Sequence, residues 1–368
     1  MSVIHYRRLE RSFRPFALRN QLDLNPISIF DYDLPEVDLA TSLSRDEFET
    51  QVRSEGRPVL VKGLVDSWPI VEAASTSHEQ LVAYLKQLDV GASVPTFVAP
   101  PRTAGRYFYS EDMRRFNFEM RDAPFRSILD KLLEQTDQPE QMGIKAGASP
   151  TSQTLPDFAG HNPMPLLGQD VVPKIWVGNA SKVAPHFDVS ANIACVVSGV
   201  RRFVIFPPDQ IENLYVGPID YNMAGQPASM VDLSNIDLTR FPKFEQALKH
   251  AMIAELHPGD ALYLPSLWWH FVQSDGPLNV LVNYWFDDLR DGSPMNVLAL
   301  ALLVIRDLPD NDKAAWRTVF DHYVFGSQSS AAVEHIPEAF RGVLGSKSAD
   351  RDQRIKAFLQ AQLPAILR

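Results

Sequence analysis

The run Ala184-Pro-His-Phe-Asp-Val-Ser-Ala-Asn-Ile-Ala-Cys-Val-Val-Ser-Gly-Val-Arg-Arg-Phe-Val-Ile-Phe206 carries the two features on which the reading of this chain turns. Its second half holds two β-type stretches, Asn192 to Val197 and Arg202 to Phe206, with the turn signal Ser198-Gly199 between them. Its first half places His186 two residues before Asp188, and on a strand or at its end such a pair points to the same side. Further short β-type runs flank it: Lys174 to Gly178 upstream, then Ala251 to Leu256, Asp260 to Leu264, Trp268 to Gln273 and Leu278 to Phe286. Turn signals at Pro207-Pro208, His257-Pro-Gly-Asp260 and Asp275-Gly-Pro277 separate most of them. This spacing predicts an antiparallel double-sheet barrel, interrupted by a polar insertion, Asp209 to His250.

Outward from the barrel the pattern turns helical. Ser44 followed by Glu47 reads as a capping box opening a helix to about Glu55, and Pro58-Val-Leu-Val-Lys-Gly63 reads as a short buried strand. Apolar spacing predicts helices over His78 to Leu88 and Phe125 to Gln135. The segment from Phe97 to Phe118 is rich in aromatic residues, and Ala146 to Asp170, dense in Gly, Pro, Ser and Asn, reads as loop. After Asp291, Ser293 as N-cap and Pro294 at the first helical position open a helical region, with further helices near Asp312 to Phe325 and Asp350 to Leu363. The expected organisation is an N-terminal arm over 1–45, a barrel domain over 46–290 with its insertion at 209–250, and a C-terminal helical region over 291–368.

Composition limits what such a chain does. Its 368 residues are 45% hydrophobic and 22% charged, enough apolar material for a large core. A net charge of −10 argues against general nucleic-acid binding, because no basic excess meets the phosphates. Cys195 is the single cysteine, so neither an intramolecular disulfide nor a four-cysteine zinc site can form, as suits a reducing compartment. The start lacks the apolar core of a signal peptide, and the longest apolar stretch, Val297 to Ile305, has nine residues and cannot cross a bilayer. A cytoplasmic protein without a membrane partner is expected.

A second histidine, His270, ends the segment Pro258-Gly-Asp-Ala-Leu-Tyr-Leu-Pro-Ser-Leu-Trp-Trp-His270, 82 residues beyond Asp188. Two histidines and one carboxylate occupy one face of an octahedral Fe(II) and leave three positions for a bidentate co-substrate and dioxygen. His186, Asp188 and His270 are therefore the candidate metal ligands and catalytic centre.

At these residues the chain resembles a known family. Ala184-Pro-His-Phe-Asp188, Asn192, Gly199-Val-Arg-Arg-Phe-Val-Ile-Phe-Pro-Pro-Asp-Gln210, the Pro258 to His270 segment and Val282-Asn-Tyr-Trp285 follow in the order seen in cupin-like JmjC hydroxylases. The pattern is similar to the asparaginyl hydroxylase that acts on hypoxia-inducible factor and to its bacterial relatives. The resemblance covers about Lys174 to Asp287, and more weakly Arg57 to Gly63 and Tyr107-Phe-Tyr109. It implies a mainly β fold with flanking helices around a double-stranded β-helix (jelly-roll) core, with Fe(II) as metal and 2-oxoglutarate as co-substrate. A hydroxylase using dioxygen on a protein, peptide or amino-acid-like small molecule is implied, as is a homodimer formed through the C-terminal helices. A metal-binding cupin acting as a regulatory module, and a cupin enzyme on another metal such as an isomerase, are the alternative readings.

By the same resemblance Arg201 takes the place of the lysine that pairs with the distal carboxylate of 2-oxoglutarate, and Arg202 should point the other way. Asn192 and Asn283 match amide positions around co-substrate and metal, and Lys145 falls where an upstream tyrosine is expected. Val183 stands where the asparaginyl hydroxylase has a threonine, and cannot bond that carboxylate. Tyr107, Tyr109, Trp176 and Trp285 could form an aromatic wall or belong to the core, while Cys195 reads as a buried, inert thiol and His161, His250 and His257 as surface or turn residues.

Overall fold

Alternate residues of the long central strand feed two different cores, and this arrangement organises the molecule. The computed structural model describes residues 4–5, 27–138, 141–223, 225–286, 292–326 and 331–367. It divides into two units between residues 289 and 290. In the first, thirteen strands among the described residues join into one sheet. They are β1 (Ile4–His5), β2 (Asp38–Ala40), β3 (Val59–Val61), β4 (Ser93–Ala99), β5 (Arg106–Tyr107), β6 (Glu119–Pro124), β7 (Gly143–Pro150), β8 (Lys174–Gly178), β9 (Ser181–His186), β10 (Ala191–Phe206), β11 (Met252–Leu256), β12 (Ala261–Leu264) and β13 (Trp269–Phe286). The strand order β1-β2-β3-β12-β10-β13-β8-β7-β4-β6, with β11 on β10 and β9 on β13, is the jelly-roll core expected, with helices flanking it.

On β10, Ile193, Cys195 and Val197 pack outward with Val280, Val282 and Tyr284 of β13 against the helices His78–Leu88 and Phe125–Gln135. Ala194 and Val196 pack inward with Leu262, Leu264 and Leu281. Both faces are buried, which is why the strand reads as a nearly continuous apolar run. Cys195 is fully buried and its thiol is pushed to a higher pKa by that burial, as an inert core residue should be.

Several local expectations hold. The Ser44 capping box forms, with Glu47 N–H donating to Ser44 Oγ at 3.2 Å and Ser44 N–H to Glu47 Oε2 at 2.9 Å. The helical turns it opens run through Arg53–Glu55 and stop at Gly56, whose φ of 61° closes the end. Ser293 caps Pro294–Val304 as predicted. His161, His250 and His257 are exposed.

Other expectations are corrected. The runs Asn192–Val197 and Arg202–Phe206 are one strand, β10, and Trp268–Gln273 and Leu278–Phe286 are one strand, β13. Their turn signals do not make hairpins. Val200 pairs with Asp275 and Ser198 with Val280, so Ser198-Gly199 and Asp275-Gly-Pro277 face one another as irregularities inside two paired strands. The supposed loop from Ala146 begins as β7, paired with β4 and β8. Its small residues serve packing: a Cβ on Gly147 would lie 2.0 Å from Trp176 Cε3, so glycine there admits the indole. Part of the expected arm, β2, belongs to the sheet, whereas the basic clusters Arg7-Arg8 and Arg11 to Arg14 lie outside the described residues.

The second unit consists of the helices Pro294–Val304, Asp310–Phe320 and Ala349–Ile366 with shorter turns. No helix among the described residues is long and apolar enough to cross a membrane.

Candidate functional site

His186 ends β9, Asp188 follows in the turn toward β10, and His270 opens β13, which pairs with β9 so that the two histidines are register partners. One donor atom from each of His186, Asp188 and His270 lies within 4.8 Å of the others. The imidazole rings are 4.3 Å apart between centroids, and His270 Nε2 is 3.8 Å from Asp188 Oδ2.

Both rings are fixed by the backbone. His186 Nδ1–H donates to the Ala184 carbonyl at 2.9 Å and His270 Nδ1–H to the Trp268 carbonyl at 3.0 Å. With Nδ1 protonated in each, the lone pair sits on Nε2, as metal ligation requires. Burial, then the neighbouring His270, pushes the His186 imidazole well below its ordinary pKa, keeping it neutral. Two imidazole nitrogens and one carboxylate suit a divalent first-row metal, and the residues present fit that group.

Asp188 is held by a chain of hydrogen bonds along the cavity wall. Trp176 Nε1–H donates to Asn283 Oδ1 (2.8 Å), Asn283 Nδ2–H to Asn192 Oδ1 (3.3 Å), and Asn192 Nδ2–H to Asp188 Oδ2 (3.1 Å). Trp285 Nε1–H donates to the same oxygen at 3.2 Å. Asn192 and Asn283 thus lie beside the triad and are bonded to each other, with one amide hydrogen on each Nδ2 still to be used.

The cavity that contains the triad also contains both candidate cations. Arg201 is 8% exposed and its buried Nε has no hydrogen-bond partner. Neither Arg201 nor Lys145 forms an ion pair among the described residues, and Lys145 Nζ lies 4.9 Å from the centroid of the Trp176 ring. Burial draws the Arg201 guanidinium down to about 10; burial, then Arg201, draws the Lys145 amine down to about 8. A buried guanidinium and a half-buried amine, neither in an ion pair among the described residues, leave this part of the cavity without a compensating carboxylate of their own. Arg202 points away, pairing with Glu255 and Asp275. Val183 lines the cavity and offers only methyl groups.

Tyr107, Trp176 and Trp285 also line the cavity, whereas Tyr109 packs beside it with its hydroxyl donated to the Tyr221 carbonyl. Phe97, Phe118, Met223 and Gln226 complete the wall and were not singled out in the sequence. Phe97 and Phe118 belong to a stretch legible only as aromatic-rich, and Gln226 lies in the polar insertion, where no pattern marks it.

The match to the cupin-like domain model runs over residues 45–292, most of the chain. The chain belongs to the cupin-like, JmjC-type family. Within that family it is 29% identical over 265 residues to the Jumonji C domain-containing protein 5 of Drosophila melanogaster, an alignment covering 69% of this chain and 60% of the fly protein. It is 27% identical over 260 residues to the human bifunctional peptidase and (3S)-lysyl hydroxylase JMJD7, covering 63% of this chain and 77% of that protein. A shorter stretch of 112 residues is 38% identical to the lysine-specific demethylase JMJ31 of Arabidopsis thaliana, covering 30% of this chain and 20% of the plant protein. The chain therefore spans less than two thirds of the fly and plant relatives.

Proposed function

We propose that this protein is an Fe(II)- and 2-oxoglutarate-dependent oxygenase that hydroxylates a protein or peptide side chain. The single observation that carries the reading is that one cavity holds a His–Asp–His set, its histidines fixed by backbone carbonyls, together with the buried Arg201 and the half-buried Lys145, neither of them in an ion pair among the described residues. His186, Asp188 and His270 would hold the metal through Nε2, a carboxylate oxygen and Nε2. Arg201 and Lys145 would receive the distal carboxylate of 2-oxoglutarate, and the unused amide hydrogens of Asn192 and Asn283 would face the co-substrate. With both groups bound, the metal supplies dioxygen activation coupled to oxidative decarboxylation of 2-oxoglutarate. The protein supplies orientation and a largely apolar enclosure, lined by Phe203, Val272 and Leu281. The hydroxylase and demethylase names of relatives support the same class.

Val183 favours a second reading, a metal-binding module without turnover, because it removes a hydroxyl that would bond the co-substrate. One experiment separates the two. Anaerobic titration of the Fe(II)-loaded protein with 2-oxoglutarate, followed by admission of oxygen, should give one co-substrate bound per chain and then succinate. Metal binding without co-substrate binding or succinate selects the module.

In the same reading chains pair through the C-terminal helices and the protein works in the cytoplasm. The second unit supports pairing by what it exposes: Val297 is 59% exposed, Leu303 61% and Phe325 74%. The helix Pro294–Val304 has no buried residue.

A further inference from the structure

The segment Pro265 to Trp268, between β12 and β13, is tied to the chain on either side of the triad. The ladder between β10 and β12 ends at the pair Asn192 and Leu264. Past that pair the two chains stay joined: Leu267 N–H donates to the Asp188 carbonyl at 2.9 Å, and the Ser266 hydroxyl donates to the Val189 carbonyl. The next residue, Trp268, offers the carbonyl that accepts from His270 Nδ1–H at 3.0 Å, and its indole N–H donates to the Gly56 carbonyl at 3.1 Å. Consecutive residues thus hold the backbone of one candidate ligand, Asp188, and the ring of another, His270. The Asp188 carboxylate is held separately, by Asn192 and Trp285.

The backbone of this bracket is strained. Leu267 has φ 66°, in the left-handed region that residues with a Cβ rarely enter. Among the described residues, Ala104, Met113, Ala148 and Tyr215 share a positive φ, but none of them lies within three residues of the triad in the chain. The Leu267 side chain is 45% exposed, so its burial does little to offset the strain. What the conformation secures is the bond from its N–H to the Asp188 carbonyl, with the Ser266 bond to Val189 beside it. Backbone strain of this kind persists only where the surroundings over-determine it, and it collects at functional sites.

We propose that Ser266 and Leu267 are positioning residues for the metal site, their bonds to the Val189 and Asp188 carbonyls setting the Asp188 carboxylate against His270 so that both reach one ion. The proposal rests on the metal assignment in the reading above and deepens it with two residues that belong neither to the triad nor to the cavity wall. Loss of such a support weakens metal binding without removing a donor. Because the backbone of Leu267 carries the role, glycine should serve in its place, whereas a β-branched residue should resist the left-handed conformation.

The test uses the full chain, with Mn(II) affinity read by electron paramagnetic resonance and the Co(II) absorption bands as a record of ligand geometry. Ser266→Ala should bind Mn(II) about tenfold more weakly and alter the Co(II) bands, and Ser266→Thr, which keeps a hydroxyl, should recover both. Leu267→Gly should stay within about threefold of the unmodified protein, whereas Leu267→Val should lose about tenfold. A role for the leucine side chain predicts the reverse order. Asn162→Ala, in the core beside Ile70 and Tyr84, is the control for lost stability: its melting temperature should fall with Mn(II) affinity and Co(II) bands unchanged. Unchanged Mn(II) affinity in Ser266→Ala overturns the proposal. So does a Leu267→Val variant that binds as tightly as Leu267→Gly, or a loss in Asn162→Ala as large as that in Ser266→Ala. Unmodified protein that binds no stoichiometric Mn(II) sinks the metal assignment and this proposal together, whereas stoichiometric binding that the variants leave untouched sinks this proposal alone.

Discussion

Trp285 Nε1 lies 3.2 Å from Asp188 Oδ2, so the carboxylate of the candidate triad is held from the side by an indole carried on β13, the strand that also carries His270. The indole is itself covered by Lys174, whose Nζ lies 3.9 Å from the centroid of the Trp285 ring. Replacing Trp285 by phenylalanine keeps a ring there and deletes the N–H. Loss of such a supporting bond costs about 10–100-fold in metal affinity. Mn(II) titration followed by electron paramagnetic resonance should show a loss in this range for Trp285→Phe, with the melting temperature little changed.

Removing the donors themselves should be more severe. The double variant His186→Ala, Asp188→Ala leaves His270 alone and should abolish stoichiometric Fe(II), Mn(II) or Co(II) binding. Elemental analysis after dialysis reads this directly, and near-stoichiometric metal in the double variant would refute the triad.

Arg201 has an unpaired Nε in the cavity, so truncating it removes a charge-assisted bond to the co-substrate. Such a bond contributes roughly 1.5–3 kcal/mol. Arg201→Ala should therefore weaken 2-oxoglutarate about tenfold or more in an anaerobic titration. Arg201→Lys should recover only part of the loss, since an ammonium lacks the planar fork.

The amine of Lys145, drawn down to about 8, gives the same binding a pH dependence. An anion selects the charged amine, so affinity should be full below about pH 8 and fall above it, by at most about tenfold per pH unit. Lys145→Met should bind more weakly at pH 7 and lose the alkaline decline. An identical pH profile in the variant would remove Lys145 from the co-substrate site.

Gly199 has φ 78°, and a Cβ there would lie 2.0 Å from Asn279 Oδ1. Gly276, across the paired irregularity, has φ 104° and open space around its Cβ position. Gly199→Ala should cost on the order of 2 kcal/mol or more, strain and overlap together. Gly276→Ala should cost less, from strain alone. Thermal melts of both variants check the order, and co-substrate affinity of Gly199→Ala should fall as well, because this irregularity aims Arg201.

The exposed apolar residues of the second unit predict the oligomeric state. Light scattering at micromolar concentration should give twice the 41.3 kDa chain mass, and Leu303→Lys should shift it to the monomer with metal binding intact. A stable monomer of the unmodified protein would rule the pairing out.

The triad and the strand-rich centre were legible because their signals are local and chemical. His186-Phe-Asp188 and Trp268-Trp269-His270 stand out for donor type and spacing, Ser44 and Glu47 for capping, and Phe125 to Gln135 for apolar period. The strand β7 was not legible. Gly147 within it is small because Trp176 lies against it, a reason that exists only once a distant segment has arrived.

The sequence by itself determined the β-rich core, the candidate donor set and the places where turn signals interrupt the β-type runs. The tertiary structure decided which side chains face the cavity. Asn192 and Ala194 point into it from even positions of β10, and Arg201 and Phe203 from odd ones. On β13, His270 and Val272 face it first, then Leu281, Asn283 and Trp285. Strict alternation would have turned Arg201 outward and Arg202 inward. Each irregularity absorbs residues without breaking the ladder, so the face of every residue after it is exchanged. Whether Ser198-Gly199 becomes a hairpin or such an irregularity depends on the strand laid alongside it, and that partner, Asp275 to Val280, is more than seventy residues away in the chain.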